Sequence, residues 1–506
     1  MSYLKDFIPA NYLIYKGKSE ASAEAEAILP DYYPSVMRII RTEAVPFIRS
    51  KTVYGEKLAV EGNVEFRVLY QSDKGDFNSF FYKAPFSHAI EIQNLQDASF
   101  AVDSNIEYKD IRALSPQKLS LRASVSLSAY AVRSENKEIL SEDRETSGDV
   151  AVLSSEETFC REINRVSKLV RHSGDVSLEG KTPVDKILRY EIGFSNTEFK
   201  PMNKKTLIKS DMTMKILCIN AESKKPILIE EKTVVSQLLD VDTVDDDSVA
   251  IISPKVADIR FDLKENSEGK VSGIEYNAEI DVTFSVFREQ KFNVISDAFG
   301  VGKEIELGTE KVMSEKLSVQ NQPILFEETV DIGQFSEICD VSVTPVLSDT
   351  RFDKESHVSE ANGEFIVNVL FTDNDGELLS SEKKIPFSLR NETGASCSGV
   401  RQEIDVSLRD LSYDISDGKI NCKIDCLISG IVFVAEEKEV ITSLSETEAE
   451  GETDDSHLVL YYARKGERLW DIAKKYRTLP ETILSANNLS ENVLEEEKML
   501  FITRYV

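Results

Sequence analysis

The chain has 506 residues, a formal net charge of −29, 41% hydrophobic residues and 29% charged residues. At about 150 residues per domain, this length predicts three or four domains, and the apolar content can give each a core. The 89 acidic residues outnumber the 60 basic ones, which argues against nucleic-acid binding because neutralising phosphates requires a clustered Lys/Arg surface.

The opening residues and the cysteines indicate the compartment. No stretch approaches the roughly 18 apolar residues of a membrane-spanning helix, and the opening lacks the apolar core of a secretion signal. Six cysteines are too few for a disulfide framework, and none forms a C-x-x-C pair. Cys422 and Cys426 lie four residues apart on an alternating stretch, so their side chains share one face of a strand. We predict that they are neighbours in a core. We therefore expect a cytosolic protein with reduced thiols, no metal, no cofactor and no membrane span.

Three similar units follow one another along the chain. Residues 36–40 (VMRII) and 66–70 (FRVLY) have counterparts 148 residues later, at 184–188 (VDKIL) and 214–218 (MKILC). A third copy lies 301 residues after the first, where 367–371 (VNVLF) corresponds to FRVLY. The same shift of 301 relates the alternating segments that begin at positions 121 and 422. The sequence therefore predicts a repeat of about 150 residues.

Within each repeat the pattern is typical of strands. Residues 120–132 and 277–287 alternate apolar and polar side chains with period two. Gly75 and Gly376 occupy equivalent positions between such segments and predict hairpin turns. A unit of this length can bury its own core, so we expect β-sandwich-like repeats. The segment from Glu156 to Arg171 could instead form a connecting helix.

The predicted fold class is mainly β, with three tandem β-sandwich-like repeats followed by a small βααβ domain. Between them, residues 446–455 contain six acids, no base and no large apolar residue, which is typical of a solvated linker. The predicted boundaries are 1–148, 149–300 and 301–444 for the repeats, 445–457 for the linker and 458–506 for the last domain.

The last domain shows helical spacing between two extended segments. Leu469, Ile472, Ala473 and Tyr476 recur on one helical face. Residues 478–481 (TLPE) have the spacing of a capping box with proline in the first turn, which predicts a second helix. The predicted order is strand, helix, helix, strand.

This domain resembles a LysM module through 466–470 (GERLW), 472–476 (IAKKY), 487–489 (NNL) and 500–502 (LFI). In that family, the loop after the first strand and the loop before the last form a shallow groove for N-acetylglucosamine-containing glycans, and some members bind proteins instead. The resemblance implies these groove residues for a glycan or protein partner: Gly466, Glu467, Arg468, Leu469, Trp470, Asn487, Asn488 and Glu497. Arg468 replaces the usual Thr or Ser, and Glu497 replaces the closing Gly.

The larger repeats resemble the SPOCS domain of spore-forming Firmicutes, which often occurs in tandem ahead of a LysM module. Its opening signature is similar to residues 29–40 (LPDYYPSVMRII), and the second repeat keeps part of it at 183–188 (PVDKIL). The third repeat keeps only the strand from Ile338. The resemblance implies a mother-cell cytosolic protein at the forespore surface, which docks spore-coat morphogenetic proteins, including the basement-layer ATPase.

No constellation in the sequence predicts catalysis. The histidines share no metal-ligand spacing; they are His88, His172, His357 and His457. Residues 394–399 (GASCSG) lack the G-x-S-x-G frame of a nucleophile elbow, and 300–303 (GVGK) is only part of a phosphate loop. Residues 373–376 (DNDG) resemble the start of a calcium loop, but the repeat alignment predicts a turn. We therefore expect no enzymatic activity.

A compact basic patch lies in the last domain, where residues 464–477 contain six bases and two acids. Lys474 and Lys475 are expected to be solvated on the outer face of the helix. Trp470 could belong to the core of this domain or serve as an interface anchor. Two functions are consistent with these features: a scaffold of spore-coat morphogenesis that docks coat proteins, and an envelope protein that binds peptidoglycan.

Overall fold

Long alternating segments form antiparallel strands throughout the computed structural model, which describes residues 4–141, 150–178, 183–202, 205–240, 248–267, 269, 271–301, 304–392, 397–447 and 458–503. The predicted fold class is confirmed. In these ranges, six three-stranded antiparallel sheets form repeated units, and a β-α-α-β unit follows them. The predicted linker residues 448–457 lie outside the described residues.

The first repeat contains two three-stranded sheets that share one core. Its strands are β1 Leu4–Ile28, β2 Val36–Tyr54, β3 Lys57–Ser72, β4 Phe77–Glu91, β5 Ala98–Ser115 and β6 Lys118–Ser141. One sheet has the order β1-β6-β5 and the other the order β2-β3-β4. Phe66 of β3 and Leu121 of β6 are fully buried in the same cluster, so the two sheets form a sandwich. Gly75, with φ of +86°, turns the chain between β3 and β4 as predicted.

The second and third repeats have the same topology. In the second, the strands are β7 Val150–Ser177, β8 Val184–Met202, β9 Lys205–Asn220, β10 Pro226–Leu239, β11 Ser248–Glu265 and β12 Val271–Gly300. In the third, they are β13 Glu304–Val330, β14 Glu337–Asp353, β15 Val358–Thr372, β16 Leu378–Glu392, β17 Gly399–Ser416 and β18 Lys419–Thr447. Strand β18 continues to Thr447, which pairs with Glu304, so the sheet extends beyond position 444.

The alternative of a helix over residues 156–171 is wrong. These residues belong to β7, which pairs with β12 along its length; Val170, for example, lies opposite Ile280. Phe159 and Val170 are buried in two different apolar clusters. Pairing with a neighbouring strand therefore overrides the weak local preference for a helix.

Equivalent residues of the three repeats meet at one centre. Leu69, Leu217 and Leu370 are related by the sequence shifts of 148 and 301, and all three lie in one buried cluster. Contacts of β4 with β8, β10 with β14 and β16 with β2 join each repeat to the next. The three repeats therefore form a closed ring about an approximate threefold axis. We call these three leucines the leucine triad.

A buried charge network lies beside the leucine triad. Glu43 of the first repeat accepts a hydrogen bond from Nε of Arg189 of the second at 2.7 Å, and Arg189 Nη1 lies 3.5 Å from Asp340 Oδ2 of the third. Arg41 donates to Oγ of Ser342 at 3.0 Å. Burial alone raises the pKa of Glu43, but Arg189, Arg41 and a third guanidinium outweigh it and hold this pKa well below its usual range.

A second set of contacts joins the outer sheets. Asn11 Nδ2 of the first repeat donates to the Cys160 carbonyl of the second at 2.9 Å and to Glu315 Oε2 of the third at 2.6 Å. Arg165 Nη2 of the second repeat donates to Glu403 Oε2 of the third at 2.7 Å. These hydrogen bonds between repeats would be lost if the repeats separated, so the ring is held at two levels along its axis.

A cavity of about 2840 Å³ lies between these two levels. It is lined by the edge strands β2, β5, β8, β11, β14 and β17, two from each repeat. Their unpaired backbone edges therefore face the interior of the ring and not the outer surface.

We expect the substitution Leu217→Ala to destabilise the ring. Leu217 is 1% exposed within the leucine triad, and a buried Leu→Ala change costs about 2 to 5 kcal/mol of unfolding free energy. Urea unfolding of the full chain measures the change. Leu228→Ala, at a 47% exposed leucine of β10, is the control and should cost less than about 0.5 kcal/mol. Equal losses of unfolding free energy in both variants would contradict a stabilising role of the leucine triad.

Acid should destabilise the ring through Glu43. Because the folded-state pKa of Glu43 is lowered, its contribution is complete above the ordinary carboxyl pKa of about 4.5 and is lost as the pH falls towards the folded value. We expect Glu43→Gln to be less stable at neutral pH, by about 3 kcal/mol, and to lose less stability between pH 7 and pH 3. Urea unfolding at both pH values tests this.

The matched control for Glu43 is Glu364→Gln. Glu364 forms an exposed pair with Lys384 at 3.6 Å, and its side chain is 44% exposed. This variant should keep the wild-type pH dependence, because exposed pairs contribute little. A wild-type pH dependence in Glu43→Gln would show that the buried network does not couple to protons.

Candidate binding site on the C-terminal unit

The C-terminal unit consists of β19 Leu458–Ala463, α1 Leu469–Tyr476, α2 Pro480–Asn487 and β20 Lys498–Thr503. The two strands pair antiparallel, with Tyr461 opposite Leu500. Both helices cover one face of this small sheet, because the apolar side chains Leu469, Ile472 and Leu500 are buried together there. The predicted strand, helix, helix, strand order is confirmed.

The helix ends are formed differently from the prediction. Arg468 is the N-cap of α1 in extended conformation, and Arg477 ends that helix with a left-handed φ of 50°. The predicted capping box at Thr478 is wrong, since α2 begins at Pro480 with Leu479 as its N-cap and no side-chain cap. Thr478 is fully buried and donates its hydroxyl to the Thr503 carbonyl at 2.8 Å. Its hydroxyl therefore fastens β20.

Two loops come together beside α1. The Gly466 amide donates to the Leu494 carbonyl at 2.8 Å, and the Leu494 amide donates to the Glu467 carbonyl at 3.0 Å. Gly466 has φ of +88°, which glycine adopts without strain. Arg468 forms an isolated β-bridge with Val493. The backbone of residues 466–468 is thus held directly against that of residues 493–494, and the loop surfaces form a shared face, which we call the loop face.

The loop face carries fixed carboxylates and free bases. Glu497 Oε2 accepts a hydrogen bond from the Tyr462 hydroxyl at 2.7 Å, and this contact raises the pKa of Tyr462. Glu467 Oε2 accepts from the Arg464 amide at 3.2 Å. Arg468 is exposed and forms no ion pair with the described residues. Of the sequence-predicted groove residues, Gly466, Arg468, Asn488 and Glu497 are exposed and Glu467 is half-buried.

Three of the predicted groove residues are buried. Leu469 is fully buried in the core of the unit, and Trp470 is 9% exposed. Asn487 is also 9% exposed; its amide donates to the Ile483 and Phe501 carbonyls, and its Oδ1 accepts from the Phe501 amide at 2.7 Å. In this arrangement these side chains support the site and offer little surface to a ligand.

Helix α1 also contacts the ring. Trp470 Nε1 donates to Asp297 Oδ2 at 2.8 Å, and its indole packs edge-on against Phe299 with ring centroids 4.8 Å apart. Lys474 Nζ lies 2.7 Å from Asp297, so this lysine is paired and not merely solvated as expected. The core alternative for Trp470 is therefore confirmed, and this core spans two units; its role as an anchor for a partner stays a prediction. No sequence pattern joins Asp297 or Phe299 to the last domain, so sequence reasoning missed this contact.

The remaining sequence candidates show no sign of a reactive site. Burial raises the pKa of Cys422 to about 11 and of Cys426 to about 12, and both lie in a core as predicted. Asp373 accepts hydrogen bonds from the backbone amides of Asp375 and Glu377, which confirms the predicted turn. In the described ranges no cluster of His, Cys, Asp or Glu has metal-binding geometry. His457 and parts of 300–303 and 394–399 lie outside the described residues.

Comparison with known families matches two parts of the chain. Residues 35–114 match the SipL, SPOCS domain family, and residues 461–503 match the LysM domain family. A search of curated proteins found no match. Both matched families are binding domains and not catalytic ones. The SPOCS match points to a role in spore-coat assembly, and the LysM match points to peptidoglycan binding. No helix among the described residues is long and apolar enough to cross a bilayer.

We expect Asn487→Ala to loosen β20. The change leaves the Phe501 amide and two carbonyls without their side-chain partner, which costs about 1 to 3 kcal/mol. Hydrogen exchange at the Phe501 amide in the full chain should accelerate accordingly. Ser485→Ala, which removes an exposed hydroxyl from the same helix, is the control. Unchanged exchange in Asn487→Ala would show that the side chain does not hold the strand.

Proposed function

We propose that this protein is a non-enzymatic scaffold of spore-coat assembly that docks coat proteins through its SPOCS repeats and its LysM unit. The observation that carries this proposal is the combination, in one chain, of a SPOCS match at 35–114 with a LysM match at 461–503. We further propose that it acts in the mother-cell cytosol at the forespore surface, with the basement-layer ATPase among its partners; the SPOCS match, which points to spore-coat association, supports this proposal.

The ring limits where coat proteins bind. The surfaces between repeats already contact one another through the leucine triad and the Arg189–Glu43 pair. Partners therefore bind the outer surfaces of the ring and the C-terminal unit. We keep the repeat boundaries 1–148, 149–300 and 301–444, the linker 445–457 and the LysM unit 458–506 as a proposal, with the third repeat lengthened to Thr447 because β18 pairs to that residue.

The charges of the loop face favour a protein partner. Arg464, Lys465 and Arg468 are exposed and form no ion pair with the described residues, in a chain of net charge −29. A local cluster of bases attracts acidic segments over a short range. Arg468 and Glu497 are long charged groups where the family pattern has a short hydroxyl and a glycine. We therefore propose an acidic surface of a coat protein as the partner of the loop face.

A second candidate function is peptidoglycan binding. The LysM match at 461–503 favours it, since the family uses the same two loops for N-acetylglucosamine-containing glycans. In this chain those two loops are residues 466–468 and 493–494, which are held together by backbone hydrogen bonds. On this alternative, the protein is an envelope protein that binds the glycan strands of peptidoglycan.

Imaging in a sporulating host tests the scaffold. A fluorescent fusion of the full chain should form a shell around the forespore, and Arg468→Glu should weaken its binding to the coat layer by about tenfold, because reversal of one exposed base opposes an acidic partner. Lys354→Glu reverses an exposed base of the third repeat and should leave the shell intact. An even vegetative distribution of the wild-type fusion would contradict the proposal.

Sedimentation with insoluble peptidoglycan separates the two candidates. The scaffold proposal expects the full chain to remain in the supernatant. Robust retention in the pellet, lost on Arg468→Glu and kept in Lys354→Glu, would instead establish glycan binding by the loop face and contradict the protein-partner assignment.

A further inference from the structure

The contact between α1 and the ring is built from one aromatic anchor and two ion pairs. Trp470 packs on Phe299 and donates to Asp297. Lys474 pairs with the same aspartate at 2.7 Å, and one turn later Arg477 pairs with Glu304 at 3.0 Å. Phe299 and Val301 lie in the same buried cluster as the core of the C-terminal unit.

This contact bridges two repeats. Asp297 and Phe299 belong to the end of β12 in the second repeat, whereas Glu304 begins β13 in the third. Helix α1 therefore spans the junction between them. The groups that face Lys474 and Arg477 are acidic. Lys474 lies in the last turn of the helix and Arg477 is its C-cap, where the helix dipole favours positive charge.

The composition of the contact makes it reversible. The side chains of Lys474 and Arg477 are 47% and 50% exposed, so water reaches both ion pairs. Few residues of the ring, among them Phe299 and Val301, join the apolar part of the contact, and limited contacts between domains permit relative motion. Ten residues, 448–457, separate β18 from β19, and a segment of that length reaches at most about 35 Å when extended. The unit would thus stay close to the ring after release.

We propose that α1 is a releasable latch, which fixes the orientation of the C-terminal unit on the second and third repeats and keeps one face of that helix covered. The latch residues are Trp470, Lys474 and Arg477 on the unit and Asp297, Phe299 and Glu304 on the ring. When it is closed, the loop face is the accessible binding surface of the unit. When it opens, the indole and both bases become accessible together. The inference holds for either ligand of the loop face.

Trp470 is the sole tryptophan of the chain, so its fluorescence reports directly on the latch. In the full chain, Lys474→Glu places two carboxylates together and should lower the ratio of closed to open states roughly tenfold. The expected readouts are a red-shifted emission, a several-fold larger acrylamide quenching constant and a larger radius of gyration in small-angle X-ray scattering.

Lys475→Glu is the matched control. It makes the same charge change in the same turn of α1. Lys475, however, lies over the aromatic side chains of Tyr461 and Tyr476 and does not contact the described part of the three repeats. Its emission and radius of gyration should stay at wild-type values. If Lys474→Glu also leaves both readouts unchanged, the latch does not open in response to this ion pair, and the proposal is overturned.

A charge swap separates release from misfolding. Arg477→Glu alone should open the latch, and addition of Glu304→Arg should close it again by restoring an ion pair of reversed polarity. Recovery of the wild-type emission and radius of gyration in the double variant supports the latch. A double variant that stays as open as Arg477→Glu would show that the two residues do not pair across the junction.

Discussion

The packing of three copies around one axis is the constraint on which the rest of the structure depends. The leucine triad removes apolar surface from water and so supplies the driving force. The neighbouring network of Arg41, Glu43, Arg189 and Asp340 supplies geometry, since each buried charge requires its partners. Arg41 and Glu43 pair within the first repeat, whereas Arg189 and Asp340 come from the second and third, so the pairs between repeats form only when all three copies are in register. The charge pairs between repeats therefore become buried only when the ring closes.

Closure also solves a problem inherent in three-stranded sheets. Every such sheet has two edges, and a long exposed edge invites pairing with another chain. Here six edge strands line the interior cavity. Several are also bent by irregular register, as in β2 between Ile48 and Ser50 and in β14 between Leu347 and Asp349. The surfaces of the ring that outside partners can reach are therefore the outward-facing sides of its sheets.

Sequence patterns predicted the elements that depend on local periodicity. Alternation indicated the strands, and the spacing of Leu469 and Ile472 indicated α1. The helix alternative for 156–171 failed because β12, far along the chain, decides the conformation of that segment. The predicted capping box at Thr478 was wrong because the Thr478 hydroxyl donates a hydrogen bond to the Thr503 carbonyl instead. Asp297 and Phe299 carry no motif, and the hydrogen bond of Asp297 to Trp470 joins residues 173 positions apart, which no local pattern reveals.

The copies are no longer interchangeable. At one equivalent position the first and second repeats have Arg41 and Arg189, whereas the third has Ser342, whose short hydroxyl accepts a hydrogen bond from Arg41. A further arginine here would add to the guanidinium groups of Arg41, Arg67 and Arg189, which already surround Glu43, in a medium where charge is poorly screened. The sequence difference at this position thus makes the contacts between the three repeats unequal. A chain that lacked the second or the third repeat would lose the partner that Arg189 supplies to Glu43 or the one that Ser342 supplies to Arg41.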